Sequence, residues 1–536
     1  MIFDNDFYTY PFPSRRTTVF ALNGMVATSQ PLAAQAGLEI LKKGGNAVDA
    51  AIATAACLTV VEATSNGLGG DAFAICYVNN KLYGLNASGP APQALTIEEL
   101  NKQGIKEIPR FGFIPVTVPG IPSAWCALSK RFGKLPLKEV LAPAIKYARE
   151  GYPLPPTLAL FWNNSYKTYK ENLHGEEYNE WFKVFAPNGK APQVGEVWKS
   201  NNHANTIAEI AETSGESFYR GRIASIIDEF SRKYGGYIRK SDLENYYPEW
   251  VEPIKVNYKG YDVWELPPNG QGLVALITLN ILKEMDFNKW DSEVIHYQIE
   301  AIKLAFQDGL KHITDPKFYN IPLSTLLSDE HANTLRNKIS NTSTNFDIKP
   351  QTGGTVYLAT ADKDGNMVSY IQSNYMGFGS GLVVPGTGIA LQNRGHTFSL
   401  DKNHANALMP GKRTYHTIIP GFLTKNDVAI GPFGVMGGFM QPQGHLQVLM
   451  NTIDFHLNPQ AAIDAPRWQW TKGQEIKVEQ HMPNYIIHQL EAKGHKITID
   501  QNLGTFGRGQ MIWRNPDTKV LIGGTEPRTD STIAIY

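Results

Sequence analysis

Residues Thr352-Gly353-Gly354-Thr355-Val356-Tyr357-Leu358-Ala359-Thr360-Ala361-Asp362 place two glycines and a threonine at the head of an apolar run. That run predicts a strand over 355–361. Asp362-Lys363-Asp364-Gly365-Asn366 turns it back into a second strand over 367–372, because Asp-Gly is a strong hairpin signal. A threonine at this point has a chemical option that other internal threonines lack. If the Gly354–Thr355 bond breaks, the new α-amine, with a pKa of about 8, is partly neutral at about pH 7 and can take the hydroxyl proton of its own residue. Gly354 has no Cβ and permits the strained backbone that would bring its carbonyl to that hydroxyl. An N→O acyl shift followed by ester hydrolysis would complete the cut. Taken alone, the stretch reads more simply as a glycine turn before a strand.

Working outward, the segment over 336–351 is polar, with little to bury, and reads as an exposed, mobile linker leading to Thr355. Further strands are expected over 388–392 and 416–423, and helices over 443–453 and 459–464. Towards the N-terminus, Pro31 at a first turn and the stop Gly44-Gly45 bound a helix over 31–43. Asn46 with Asp49 caps a second helix over 47–61, which is small and apolar nearly all round and so expected between layers. Residues 72–78 and 81–85 form a hairpin about Asn79-Asn80. The region 95–250 reads as largely helical and aromatic-rich, and 292–313 has helical spacing. Helices with hairpins, then a helical stretch, then a hairpin sheet with helices fit helical layers packed on antiparallel sheets, an α+β class.

Composition excludes several functions. Lysine plus arginine and aspartate plus glutamate are 50 each, so the formal net charge is +0 and there is no field to attract nucleic acid or an anionic membrane. Cys57, Cys76 and Cys126 cannot all pair and lie in apolar surroundings, which reads as buried thiols in a reducing compartment. Met1-Ile2-Phe3-Asp4-Asn5-Asp6 carries acids where a signal peptide needs cations, and no run is long enough for a membrane helix, so a cytoplasmic protein is expected. There is no Gly-x-Ser-x-Gly elbow, P-loop or His-Glu-x-x-His, and the 13 histidines form no cluster at metal spacing. No metal and no cofactor is expected.

Several blocks together carry a specific resemblance. Met25-Val26-Ala27-Thr28-Ser29-Gln30-Pro31, Gly44-Gly45-Asn46-Ala47-Val48-Asp49, Gly67-Leu68-Gly69-Gly70-Asp71, Val116-Thr117-Val118-Pro119-Gly120 and Ser214-Gly215-Glu216-Ser217-Phe218-Tyr219 occur in order. Thr355, Gly379-Ser380-Gly381, Gly411-Lys412-Arg413 and Gly437-Gly438 follow. Along almost its whole length the chain resembles the γ-glutamyltransferase (glutathione hydrolase) family of N-terminal nucleophile hydrolases. The resemblance implies a four-layer αββα sandwich. It also implies autocleavage at Gly354–Thr355 into a large subunit, 1–354, and a small subunit, 355–536. These would form a heterodimer, alone or as a dimer of heterodimers. Thr355 is then the nucleophile, Gly437 and Gly438 supply backbone N–H groups to the oxyanion, and Ser373 hydrogen-bonds the nucleophile's amine.

The substrate end departs from the family pattern. Members that cleave γ-glutamyl groups hold the α-carboxylate with an arginine and the α-amine with an asparagine, a glutamine and an aspartate. At the matching places this chain has Ser88 or Gly89, Tyr375, Arg394 and Thr397, with His416-Thr417 in place of a serine pair. A cation where the amine partners should stand would repel a glutamyl α-amine by several kcal/mol in a low-dielectric pocket. A carboxylated acyl group without an amine suits Arg394 better, which is the pattern of the branch holding cephalosporin acylase-like and oxamate amidohydrolase-like members. The expected substrate is therefore a small-molecule amide or γ-glutamyl compound, with glutathione the family default. The plain alternative for Arg394 is a structural surface arginine. The alternative for the whole chain is an uncleaved pseudoenzyme acting as a binding protein.

Overall fold

A computed structural model of the 536-residue chain describes residues 16–346 and 353–536. The N-terminal residues 1–6 and the end of the polar linker, 347–352, lie outside the described residues.

The helix Ala47–Val61 forms where the sequence places it, with Asn46 and Asp49 in a reciprocal capping box, and every one of its residues is buried. Polar bonds lock it to the strand Gly354–Asp362: Asp362 accepts from the Ala47 N–H at 2.9 Å, and the Thr360 hydroxyl donates to the Ala47 carbonyl at 2.7 Å. Pro31–Lys42 lies against it, capped by the Gln30 side chain. The hairpin Asp71–Val78 and Lys81–Ala87 turns through Asn79 and Asn80, both at positive φ.

Two seven-stranded sheets, all of whose pairs are antiparallel, organise the chain. The first runs Thr532–Ile535, Gly24–Thr28, Gly354–Asp362, Met367–Tyr375, Asp71–Val78, Lys81–Ala87, Glu249–Val251. The second runs Val19–Ala21, Leu521–Thr525, Arg508–Arg514, Val428–Met436, Gly421–Lys425, Tyr261–Glu265, Ile254–Tyr258. Along the strand after Thr355, Tyr357, Ala359 and Ala361 join an apolar cluster with Phe422, Met436 and Ile512 of the second sheet. Val356 and Leu358 point the other way, into a cluster with Ile52, Leu58 and Trp125 of the helices. On the far side of the second sheet, Phe433 and Val435 pack with the helices Gly272–Leu282, Ser292–His312 and Met440–Ile453. The chain thus mixes helices and sheets as expected.

Some expectations need correction. No named strand forms over 388–392; Ala390 and Leu391 make isolated bridges. The strand expected over 416–423 begins only at Gly421, because His416 bridges Gly270 instead. The linker is not free where it is described. Ser343 donates from its N–H to the Lys493 carbonyl at 2.7 Å, Thr344 to Glu300 at 3.0 Å, and Lys303 binds Ser343 and Thr344. A buried Glu300–Lys303 pair, 2.7 Å apart, anchors a segment whose own side chains bury little. Cys57 and Cys76 are buried and Cys126 is partly so, all three unpaired.

Ile52, fully buried against the first sheet, tests this packing. Ile52→Ala is expected to lower stability by roughly 2–5 kcal/mol, read as a lower urea midpoint at unchanged m-value.

Candidate functional site

Thr355 is not an ordinary ladder residue. Gly354 pairs with Tyr375 and Val356 with Gln372, so Ser373 and Asn374 together oppose Thr355 in a bulge. The bulge turns the Ser373 hydroxyl towards the head of the neighbouring strand, and Tyr375 leaves it at φ 76°. Gly70 packs against this kink so closely that a Cβ there would lie 2.4 Å from the Ser373 carbonyl oxygen, which explains a glycine of the Gly67-Leu68-Gly69-Gly70 motif.

The groups around Thr355 converge tightly. Its Oγ1 donates to the Gly354 carbonyl at 2.7 Å and lies 3.3 Å from Ser373 Oγ. Ser373 donates to the same carbonyl at 2.6 Å and accepts from the Tyr375 N–H at 2.7 Å. Arg394 Nη2 donates to Ser373 Oγ at 3.3 Å, and its Nη1 to Thr417 Oγ1 at 2.7 Å. Hydroxyl and carbonyl are therefore in contact, with a guanidinium one hydrogen bond behind the group that polarises the carbonyl.

Arg394 is no surface arginine: it is 0% exposed and lies flat over the Tyr375 ring at 4.3 Å. Its Nε has no hydrogen-bond partner, and among the described residues it forms no ion pair. Burial pulls its pKa down to about 10, and the Tyr375 phenol is pushed up to about 12 by burial, with nearby arginines opposing. Among the described residues this buried guanidinium is held by two hydroxyls and a ring, an incomplete pairing for a buried charge.

Gly437 and Gly438 carry φ values of 136° and 63° immediately before the helix Met440–Ile453. Their carbonyls accept from Met440 and Gln441 at 3.1 and 3.2 Å. No backbone hydrogen bond among the described residues uses either N–H. Two side chains that the sequence reading missed tie this turn to Thr355 and its surroundings. Gln441 Nε2 lies 3.4 Å from Thr355 Oγ1, and Gln271 Nε2 bridges the carbonyls of Thr417 and Gly438 at 2.6 and 2.9 Å. Gln441 was recoverable from its place in the first helical turn after the glycine pair, whereas Gln271 is distant in sequence and carried no such signal.

His416 and Thr417 part company. Thr417 faces Arg394, but the His416 ring lies 3.1 Å from Asp71 and against Phe73. Thr397 bonds Thr414 and the Tyr415 carbonyl, while Ser88 bonds Asn86. Asp71, which sequence reasoning placed only in a motif, accepts from Gln392 at 2.8 Å and from the Gly89 N–H at 3.1 Å. Burial pushes Asp71 up to about 7 despite those donors, and drives His416 well below its ordinary value.

Two open cavities reach this centre. One of about 840 Å³ has Gly353, Gly354, Arg110 and Arg508 in its wall, and one of about 780 Å³ has Tyr375, Tyr415 and Phe439; His396 lines both. Elsewhere, contrary to the expectation that the histidines form no cluster, the fold brings together His296 and Glu300, one turn apart on the helix Ser292–His312, and the remote His495, a grouping of metal-donor types. Glu300 already holds Lys303, and the two imidazoles bond each other at 2.8 Å.

The profile of a family described as Gamma-glutamyltranspeptidase matches residues 33–536. A glutathione hydrolase-like YwrD proenzyme of Bacillus subtilis is 36% identical over 96% of this chain and 98% of that protein. An oxamate amidohydrolase proenzyme of Klebsiella pneumoniae is 33% identical over 96% and 98%. The crystal structure of a cephalosporin acylase from Bacillus halodurans superposes with a TM-score of 0.96 at 61% identity, covering 99% of each chain.

The Asp71 carboxyl gives a pH test. Between its unfolded value of 3.8 and about 7, the folded chain holds a proton that the unfolded chain has released, so stability falls as pH rises through that window. Neutral His416 contributes the opposite slope below about 6.5 in any variant that retains it. Asp71→Asn is expected to remove the first slope only. A wild-type-minus-variant difference in urea midpoint that stays flat from pH 3.8 to about 7 would contradict this.

Proposed function

Since the chain belongs to the gamma-glutamyltranspeptidase family, we propose that it is an autoprocessed amide hydrolase whose acyl pocket takes carboxylated acyl groups lacking an α-amine. The observation that carries this reading is the buried Arg394, without an ion pair among the described residues, standing behind Ser373 and Thr355. The packing of helices on the outer faces of two facing sheets supports the αββα sandwich of N-terminal nucleophile hydrolases.

In the precursor, Thr355 Oγ1 attacks the Gly354 carbonyl carbon, to whose oxygen Ser373 donates a hydrogen bond. The C–N bond breaks as the ester forms, and the nitrogen takes up the proton released by the Thr355 hydroxyl to become the α-amine of Thr355. Water then hydrolyses the ester, leaving a carboxylate on Gly354. In turnover the α-amine accepts the Thr355 hydroxyl proton, the oxygen attacks the substrate amide, and the departing amine takes the proton as its C–N bond breaks. Water, or an acceptor amine, then gives a proton to the α-amine and attacks the ester, releasing the acyl group and returning the proton to the Thr355 hydroxyl. Gly437 and Gly438 receive the oxyanion, a contribution that fixed donors commonly make largest. Strand 24–28 hydrogen-bonds directly to 354–362 and strand 71–78 to 367–375, so the two products of the cut, 1–354 and 355–536, share one sheet and stay together as a heterodimer. "Proenzyme" in the names of both relatives supports this processing.

A second reading, cleavage of glutathione or another γ-glutamyl compound, is favoured by the name of the Bacillus subtilis relative. The two readings differ at Arg394, which repels an α-amine. The uncleaved binding protein is the reading that a single intact band would restore.

On a denaturing gel the wild type is expected to give two bands, the smaller beginning at Thr355 by Edman degradation, and Thr355→Ala one. Glutaryl 4-nitroanilide is expected to be a better substrate than γ-glutamyl 4-nitroanilide by kcat/KM. Arg394→Gln should lower glutaryl turnover on the order of 100-fold, the size of leaving one buried charge unpartnered. Preference for the γ-glutamyl compound in the wild type would favour the second reading.

A further inference from the structure

Arg394 is not the only guanidinium aimed at this centre. Arg110 lines the cavity of about 840 Å³ that also has Gly353 and Gly354 in its wall. Its Nε is buried without a hydrogen-bond partner, and its guanidinium lies 5.0 Å from the centre of the Phe111 ring. Among the described residues it forms no ion pair. The other arginine of that wall, Arg508, is neutralised by Glu62 at 2.8 Å. Among the described residues no aspartate or glutamate lines the cavity, while Asn164, Ser165, Thr168 and Tyr169 surround it with polar groups. The space therefore carries one uncompensated positive charge beside hydrogen-bonding groups, which is the chemistry of a carboxylate site.

An amide has two halves, and the geometry separates them. The acyl half has a closed anchor, since Arg394 is fully buried and lines neither cavity. The departing amine needs open space from which it can leave, and the cavity with Gly353 and Gly354 in its wall opens beside the peptide bond that precedes Thr355. The other cavity carries Lys106, Glu107 and Asp401, charges of both signs, and gives neither sign of ligand an advantage. Arg110 is also near enough for its charge to act on Tyr375, the residue whose ring Arg394 lies over.

We propose that Arg110 binds a carboxylate on the amine side of the scissile amide, so that the preferred substrates are N-acyl amines carrying an anion at both ends. This rests on the reading of Thr355 and Arg394 given above, and the experiment separates the two. With the acyl group held as glutaryl, kcat/KM is compared for the 3-carboxy-4-nitroanilide and the 4-nitroanilide. The wild type is expected to prefer the carboxylated amide on the order of tenfold, the size of a charge-assisted hydrogen bond. Arg110→Gln should bring that ratio towards unity, and Arg110→Lys should restore part of it. Turnover of both anilides without preference, or a ratio unmoved by Arg110→Gln, overturns the proposal while leaving the acyl-side reading intact. Failure to turn over either glutaryl anilide sinks the acyl-side reading instead. In that event, calorimetric titration of processed wild type with 5-amino-2-nitrobenzoate against 4-nitroaniline decides on Arg110: tighter binding of the acid supports it, and equal binding refutes it. The same titration serves if the variants do not fold.

Discussion

Everything at this centre depends on the bulge opposite Thr355. Two residues of one strand face one of the next, so the ladder cannot absorb Ser373, and its hydroxyl is delivered to the Gly354 carbonyl. In a regular register Ser373 would alternate to one face of the sheet like its neighbours. The bulge is held from outside by close backbone approach at Gly70 and from within by the Tyr375 N–H on Ser373. Thr355 and its preceding carbonyl are then kept in contact inside a desolvated sheet head, where hydrogen bonds and charges act through a low dielectric.

Charge placement follows from that position. Arg394 sits behind Ser373 with hydroxyl partners only, and the nearest compensating acid, Asp71, is itself shared among Gln392, Gly89 and His416. The cost of burying a guanidinium so incompletely paired is large, which is why the proposed function rests on this residue. His416 serves this network from the Asp71 side and does not face the nucleophile, although it is the neighbour of Thr417 in sequence. Adjacent strand-like residues point in opposite directions, which is why the pair divides its duties.

Much of the local structure was legible. The helix over 47–61 has its capping residues, its length and its all-round burial written in Asn46, Asp49 and its run of small apolar residues. The hairpins about Asn79-Asn80 and Asp364-Gly365 follow from turn chemistry. The strand expected over 388–392 was not found, because its residues bridge single partners and do not extend a sheet edge. The polar stretch before Thr355 read as free because its composition offers nothing to bury, yet Ser343 and Thr344 are held by a buried ion pair from a distant helix. Composition describes what a segment contributes, and says nothing of what others contribute to it.

By itself the amino-acid sequence carried the family likeness and named Thr355 as candidate nucleophile and Arg394 as candidate acyl anchor, since these reside in residue types and short-range order. Tertiary structure alone decided that Arg394 is buried and, among the described residues, without an ion pair, that Gln271 and Gln441 brace the glycine turn, and that Arg110 opens onto the cavity beside Gly354. The physical reason is that charge burial and hydrogen-bond convergence are properties of groups brought together from remote parts of the chain. No local pattern records which remote groups will meet.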